Sequence, residues 1–506
     1  MSAPASASEA AVDVGPENLA DFLTRHAAER PHAVAIVERD RIIHYGALER
    51  AVWAAAWHLD RAGVRAGDVV GLALPHSALY LVTVYALTRI GAVSTALPLS
   101  DPAALRESYA RRFAVKWVVA AEPGAGPGGL PTLVVTERDL AGAPDRVPAG
   151  LRVPGGERAR NIRRTSGTTA EARGIVATHA ALRESYERHQ PYFYGPADRV
   201  LSLVSISTAF GLSVCERALF GGGTVVIPTL PMNEAAFLES IDLHGVTHAV
   251  LTPSHLDALV AHLPQDGLRA PALKQISVTG MAMPESLRSE VRCRFSRELL
   301  IFYASNEASY LTVADADAQE RYPETVGAIL PGVELEIVDD EDRRLPAGEA
   351  GHVRVRTPWM PAGYVNAPGP DSKTFRNGWI YPGDIAVLTA QGQLFVKGRA
   401  DDMINFDGVK IMPSDIEEAL LSHPAVVEAA AFPIPSERHH HLPAAAVILR
   451  HAVGGDELMA HCRRLQGMRA PQLVSVEQSF PRNAMGKVLR TKLAARLKAR
   501  LARPLP

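Results

Sequence analysis

The stretch RRTSGTTAEARGIVATH, from Arg163 to His179, packs hydroxyls and glycines between arginines. Thr165, Ser166, Thr168 and Thr169 offer O–H donors, Gly167 and Gly174 let the backbone come close to a ligand, and Arg173 adds a fixed positive charge. Donors and backbone N–H groups in a glycine-rich turn make a cradle for an anion such as phosphate. The spacing is not the GxxxxGK[ST] of a Walker loop, and on its own the stretch also fits a polar surface turn. Four further stretches could serve such an anion. FYASNEASY places Glu307 at a strand end, WIYPGDIAVL places Asp384 after a turn, KGRADDMINFDGVKIMPSDIE carries Arg399 and paired acids, and FPRNAMGKVLR presents Lys487 after a glycine. A carboxylate at Asp384 could accept both hydroxyls of a ribose. Each alone has a bland reading: a solvated strand end, a turn residue, a charged linker, a surface lysine. Their order and spacing together are specific.

The elements that must hold these residues follow from periodicity. ENLADFLTRHAAERP reads as an amphipathic helix stopped by proline, and GALERAVWAAAWHLDRAG and SALYLVTVYALTRIGA as further helices. HAVAIVERDRIIHY reads as two short strands around a charged turn. DVVGLAL, RVLSLVSI, GTVVIP, THAVLTP and QISVTG are short apolar runs that read as buried strands. This βα alternation predicts an α/β fold with a mostly parallel sheet and helices on both faces. From Val326 on, strands separated by acidic and glycine turns predict antiparallel pairing, and near Lys397–Asp401 the pattern gives way to a smaller α+β region. The division expected is a disordered lead over residues 1–15, a large domain over 16–397 and a small mobile domain over 398–506.

With 506 residues, the chain is too long for one ordinary core. A formal net charge of -2 gives no support to wholesale nucleic-acid or anionic-membrane binding. No apolar run is long enough to span a bilayer. The N-terminus lacks the basic and apolar regions of a secretory signal. The three cysteines, Cys215, Cys293 and Cys462, are far apart and fit buried thiols in a reducing cytoplasm. The triplet His439–His441 lacks helical i, i+4 spacing and reads as a surface loop rather than a metal site.

Taken together, these motifs resemble the ANL superfamily of adenylate-forming enzymes, which includes acyl- and aryl-CoA synthetases, adenylation domains and luciferases. The resemblance runs from about Asn18 to about Leu493. TSGTT resembles the family's phosphate loop, YASNE its YGxTE motif, YPGD its [ST]GD motif, GRADDMI its hinge, and PRNAMGKVLR its C-terminal lysine motif. The resemblance implies two half-reactions: a carboxylate attacks the α-phosphorus of ATP, and a second nucleophile, usually a thiol, then displaces AMP. It implies that Thr165, Ser166, Gly167, Thr168 and Thr169 hold the phosphates and that Glu307 ligates Mg²⁺. It further implies that Tyr303 stacks on adenine and that Asp384 and Arg399 hold the ribose. Lys487 would be the lysine of the adenylation step, Arg173 its cationic companion, and Asp401 the hinge. The partners implied are a small-molecule acid and either CoA or a separate acyl carrier protein, with the protein a monomer or homodimer.

The departures from the family pattern carry the substrate information. Arg173 stands where a lysine is common, Ala170 where a glycine is, and Arg164 where an aromatic or hydroxyl residue is. Arg164 is either drift at a strand edge or an extra anion contact. Met281, Ala304 and Asn306 replace smaller or different residues of the acid pocket, with Ser207, Thr208 and Phe210 on the opposite wall. Added volume shrinks a cavity and favours a small or flat acid over a long fatty acid. No aspartate stands where amino-acid-activating domains place one for the α-ammonium. Asp407 replaces a glycine of the pantetheine tunnel, which leaves the acceptor open. The leading expectation is an acid–thiol ligase for a small or aromatic acid. Alternatives are a ligase with an amine acceptor or an oxyanion substrate such as nitrite (diazotase-like), and a degenerate nucleotide-binding protein.

Overall fold

The computed structural model describes residues 17–136, 150–164, 173–264, 267–365, 373–407, 409–436, 438–482 and 488–501. The chain forms two compact units: one from its beginning to Val250 together with the segment from Pro358, the other from Leu251–Thr357 and the chain from Ser372 on.

In the first unit a six-stranded sheet runs in the order Thr132–Val134, Trp117–Ala120, Val69–Ala73, Val93–Ala96, Ala159–Arg164, Gly174–Thr178. All neighbours are parallel except the last pair, which is an antiparallel hairpin with Arg164 opposite Gly174. The residues between these two strands are those of the predicted phosphate loop. Gly174 is glycine because a Cβ there would lie 2.5 Å from the Phe113 ring and 2.8 Å from Ile162. A second set of strands, His248–Leu251, Arg199–Ser202, Thr224–Ile227 and Val34–Glu38, is parallel, and Arg41–His44 closes it as an antiparallel edge. The helix Ala78–Arg89 is buried along its whole length, as its apolar composition requires. Beneath it Arg160 and Glu216, both essentially inaccessible, form a buried ion pair. Tyr186 donates to the other Glu216 oxygen at 2.7 Å, and Arg160 Nε donates to Thr88 at 3.1 Å.

In the second unit, Gln275–Val278 lies parallel to Leu299–Ser305. Beyond it the pairing turns antiparallel through Ser309–Ala314, Gly327–Ile329, Gln393–Arg399, Asp384–Leu388, Ala350–Arg356 and Glu334–Val338. The antiparallel pairing expected from Val326 on is present, but it begins earlier, where Ser309–Ala314 turns back on Leu299–Ser305. After Arg399 a 3₁₀ turn, Ala400–Asp402, leads into a five-stranded sheet. Its core is Ile404, Ile411, Ile416, Leu420, Val447, Leu458 and Cys462 on one side, and Phe432, Ile434, Phe480, Leu493 and Leu497 on the other.

Cys215 and Cys462 are buried as expected, but Cys293 is exposed, because it faces outward on the charged helix Glu285–Arg294. Among the described residues no helix is long and apolar enough to cross a membrane.

Candidate active site

The residues expected on the nucleotide side lie on two hairpins of one sheet, separated by the strand Gly327–Ile329. Leu299–Ser305 pairs with Ser309–Ala314, with a register shift between Tyr303 and Ala304. Asp384–Leu388 pairs with Gln393–Arg399, with Asp384 directly opposite Arg399. Tyr303 donates its phenol to Asp384 Oδ2 at 2.6 Å. Arg399 Nη1 donates to Asp384 Oδ1 at 3.3 Å and also to the Pro382 carbonyl, and its Nη2 reaches Asp401 at 3.8 Å. Gly383, at φ +86°, leaves room for this guanidinium, since a Cβ would lie 2.7 Å from Arg399 Nη2. The fold thus joins Tyr303, Asp384, Arg399 and Asp401, four residues that sequence could only nominate one at a time. Burial, reinforced by the Asp384 charge and hydrogen bond, pushes the Tyr303 phenol well above its usual range. It stays a neutral donor at any working pH. Burial alone would lower the Arg399 pKa; the Asp384 charge overrides it and raises it. The result is an oriented carboxylate beside a fixed cation, suited to a vicinal diol close to a phosphate.

Glu307 lies in the short connection between the same strands as Tyr303 and is half-buried. The connection is tightened by Ser305 Oγ, which accepts from the Ala308 N–H at 3.0 Å, and by Ser309 at φ +66°. Among the described residues no cluster of three or more His, Cys, Asp or Glu side chains is placed to hold a metal. One carboxylate fits Mg²⁺ bound mainly through substrate phosphates, the usual mode for that hard, octahedral ion.

Thr165, Ser166, Gly167, Thr168, Thr169 and Lys487 lie outside the described residues. Their flanks are well defined. Arg164 Nη1 pairs with Asp101 Oδ2 at 2.7 Å, and its guanidinium lies 4.5 Å from the Tyr109 ring centroid. Its charge is engaged on the protein's own carboxylate. Arg173 lies over Tyr364, with its guanidinium carbon 5.1 Å from the ring centroid. Neither Asp101 nor Tyr364 stood out in the sequence; both sit in ordinary surroundings, SDPAAL and AGYVN.

The residues expected to shape the acid pocket fall in both units. In the first, Ser207 Oγ and Ser205 Oγ are 3.0 Å apart, and Thr208 caps the helix Ala209–Phe220, which carries Phe210 in its first turn. His76 Nδ1 accepts the Ile206 N–H of this turn at 3.1 Å. In the second, Met281 is half-buried beyond strand Gln275–Val278, and Ala304 and Asn306 share the Tyr303 hairpin.

Asp401 is 90% exposed. Its neighbour Asp402 reaches Arg490 at 3.8 Å, and Arg490 also binds Glu417 at 2.7 Å and the Ala431 carbonyl at 3.1 Å. Arg490 is therefore the anchor of the segment that follows Lys487, a role the sequence did not reveal although the residue closes the lysine motif. The histidine triplet is absorbed by the hairpin facing Asp407. His439 Nδ1 meets Asp407 at 2.8 Å, His440 pairs with Phe406, and His441 Nδ1 accepts from the Asn405 N–H at 3.2 Å.

Known proteins resemble this chain in sequence and in fold. The description AMP-binding enzyme matches residues 23–365, and AMP-binding enzyme C-terminal domain matches residues 415–487. A rice (Oryza sativa subsp. japonica) protein named 4-coumarate–CoA ligase-like 9 is 28% identical over 510 residues, spanning 94% of this chain and 91% of its own. Among solved structures, the o-succinylbenzoate CoA synthetase of Bacillus subtilis with its acyl-adenylate intermediate superposes with a TM-score of 0.83 at 24% identity, covering 93% of this chain and 97% of that one. The amide bond synthetase McbA of Marinactinospora thermotolerans has a TM-score of 0.83 at 23% identity, covering 95% and 99%.

Proposed function

Because the chain belongs to the AMP-binding enzyme family, within the adenylate-forming ANL superfamily, we propose that it activates a small or aromatic carboxylic acid with ATP and passes the acyl group to a thiol. A carboxylate oxygen bonds to the α-phosphorus as the bond to the β-phosphate oxygen breaks, releasing pyrophosphate. A thiolate then adds to the acyl carbon and AMP leaves. The observation that carries the reading is the Tyr303–Asp384–Arg399 assembly, an oriented carboxylate whose geometry suits a ribose diol, on a chain of this family. In this reading Asp384 accepts the ribose hydroxyls, Tyr303 presents its ring to adenine, and Thr165 to Thr169 cradle the phosphates. Glu307 would hold Mg²⁺, which would supply charge neutralisation at the phosphates. Lys487 and Arg173 meet the charge that spreads over the phosphoryl oxygens in the transition state.

The chain from residue 398 on then acts as a mobile domain. Asp401 serves as its pivot, and rotation withdraws Lys487 after the first step. Two relatives whose names refer to aryl acids, 4-coumarate and o-succinylbenzoate, support the aromatic reading of the pocket.

A second reading has an amine as acceptor. It is favoured by the likeness in fold to an amide bond synthetase and by Asp407, occupied by His439, where a glycine is usual. One experiment separates the two. Pyrophosphate release is followed with ATP and Mg²⁺ over benzoates, cinnamates, acetate, fatty acids, amino acids and nitrite, each alone, with CoA and with a primary amine. Release with an aryl acid that CoA accelerates is the expected result. Release that only an amine accelerates establishes the second reading, and release with nitrite alone sinks both.

A further inference from the structure

Arg173 directly precedes the strand Gly174–Thr178 and stands four positions after Thr169. The segment from Pro358 adds itself along this strand. Tyr364 forms an antiparallel bridge with Ile175, and the Val365 N–H donates to the Gly174 carbonyl at 2.7 Å. Its other end is pinned by Trp359, whose ring meets His189 edge to face at 5.0 Å. Backbone pairing therefore fixes where Tyr364 stands, and its ring lies 5.1 Å from the Arg173 guanidinium. Arginine is suited to this place. A planar guanidinium can lie on a ring face and still offer its N–H edge to phosphate oxygens, whereas an ammonium is a compact, strongly hydrated point charge.

We propose that Tyr364 is a positioning residue: its ring sets the plane of the Arg173 guanidinium so that the fork faces the triphosphate. The inference rests on the reading above in which Arg173 meets ATP. It also gives a reason for arginine rather than lysine at this position, since the stack and the fork are one device.

The test is equilibrium binding of MgATP by calorimetry with no acid present, so that a wrong acid class cannot interfere. Tyr364→Leu is expected to weaken MgATP about two- to fivefold, the size of an exposed cation–π contact. The loss should vanish in an Arg173→Met background, and Tyr364→Phe, which keeps the ring, should restore affinity. In turnover the same loss should appear in KM for ATP and not in kcat. Should Tyr364→Leu fold poorly, Tyr364→Trp provides the same comparison with a stronger ring and is expected to bind MgATP at least as tightly as the native protein. An equal loss with Arg173 in place and in the Arg173→Met background, or no loss at all, overturns the inference while leaving the ligase reading intact. A native protein that binds MgATP but activates no acid overturns the ligase reading alone, and one that does not bind MgATP overturns both.

Discussion

Tyr303 and Asp384 stand 81 residues apart in the chain and share one short hydrogen bond, 2.6 Å from phenol to carboxylate. The bond does two things. It sets the plane of the tyrosine ring, and it uses one carboxylate oxygen while Arg399 holds the other. Losing the carboxylate should therefore cost more than losing the phenol. Asp384→Ala is expected to raise KM for ATP tenfold or more, in line with about 1.5–3 kcal/mol for a charged hydrogen bond. Tyr303→Phe keeps the ring and should cost only a few-fold. Steady-state kinetics with varied ATP checks the order; equal effects would mean that Asp384 serves only to hold Tyr303.

The buried Arg160–Glu216 pair ties the strand Ala159–Arg164 to the helix Ala209–Phe220. Removing one partner leaves a buried charge unmatched. Glu216→Leu is expected to destabilise the protein by about 3–5 kcal/mol. The double substitution Arg160→Met, Glu216→Leu should recover much of that loss, since it removes both charges. Urea denaturation of the native protein, both single variants and the double variant tests this coupling.

Buried His179 and half-buried His76 are expected to make stability fall in mild acid. Burial lowers the His76 pKa to about 4, and burial, with Arg160 adding to it, lowers that of His179 to about 3. Both rings accept a backbone N–H at Nδ1, His76 from Ile206 and His179 from Leu19. Below pH 6.5 the unfolded chain binds protons that the folded chain refuses, so stability is intact above that value and declines as pH falls toward 4. The slope contributed is up to about 1.4 kcal/mol per pH unit for each ring. Urea midpoints at pH 7.5, 6 and 5 should decline in step, and His179→Gln should flatten the dependence.

Lys487→Ala is expected to suppress pyrophosphate release by orders of magnitude while sparing thioester formation from supplied acyl-adenylate. Single-turnover assays of each half-reaction distinguish this from a general loss of folding. Equal loss in both steps would refute a role confined to adenylation.

Met281→Gly should admit bulkier acids and shift the ratio of kcat/KM between a substituted and an unsubstituted benzoate by about tenfold, the usual size of a one-group change in an apolar pocket. An unchanged acid profile would mean that Met281 does not line the pocket.

The sequence was most legible where a segment's own pattern decides its structure. QISV and TVVI are strands because they are short apolar runs between breakers, and Ala78–Arg89 is a buried helix because it is apolar all round. The antiparallel pairing beyond Val326 was legible from its turns, while its start at Ser309–Ala314 was not. What stayed hidden depends on partners far away in the chain. Nothing near Arg164 points to Asp101, 63 residues earlier, and nothing near Arg490 points to Glu417, 73 residues earlier. Tyr364 gives no local signal, since its meaning comes from a bridge to Ile175. The exposure of Cys293 likewise depends on which helical face turns inward, which a short, highly charged helix states weakly.

Thr208 has a consequence for anyone designing inhibitors. Its hydroxyl accepts from the Gly211 N–H at 3.0 Å and donates to the Ser205 carbonyl at 2.8 Å, so its one proton is committed to the turn. On the proposed reading in which Thr208 faces the acid, it offers a ligand only its second lone pair and its methyl. A compound that presents a donor or a flat hydrocarbon face would leave the turn intact, whereas one that presents an acceptor would have to take the proton from the Ser205 carbonyl.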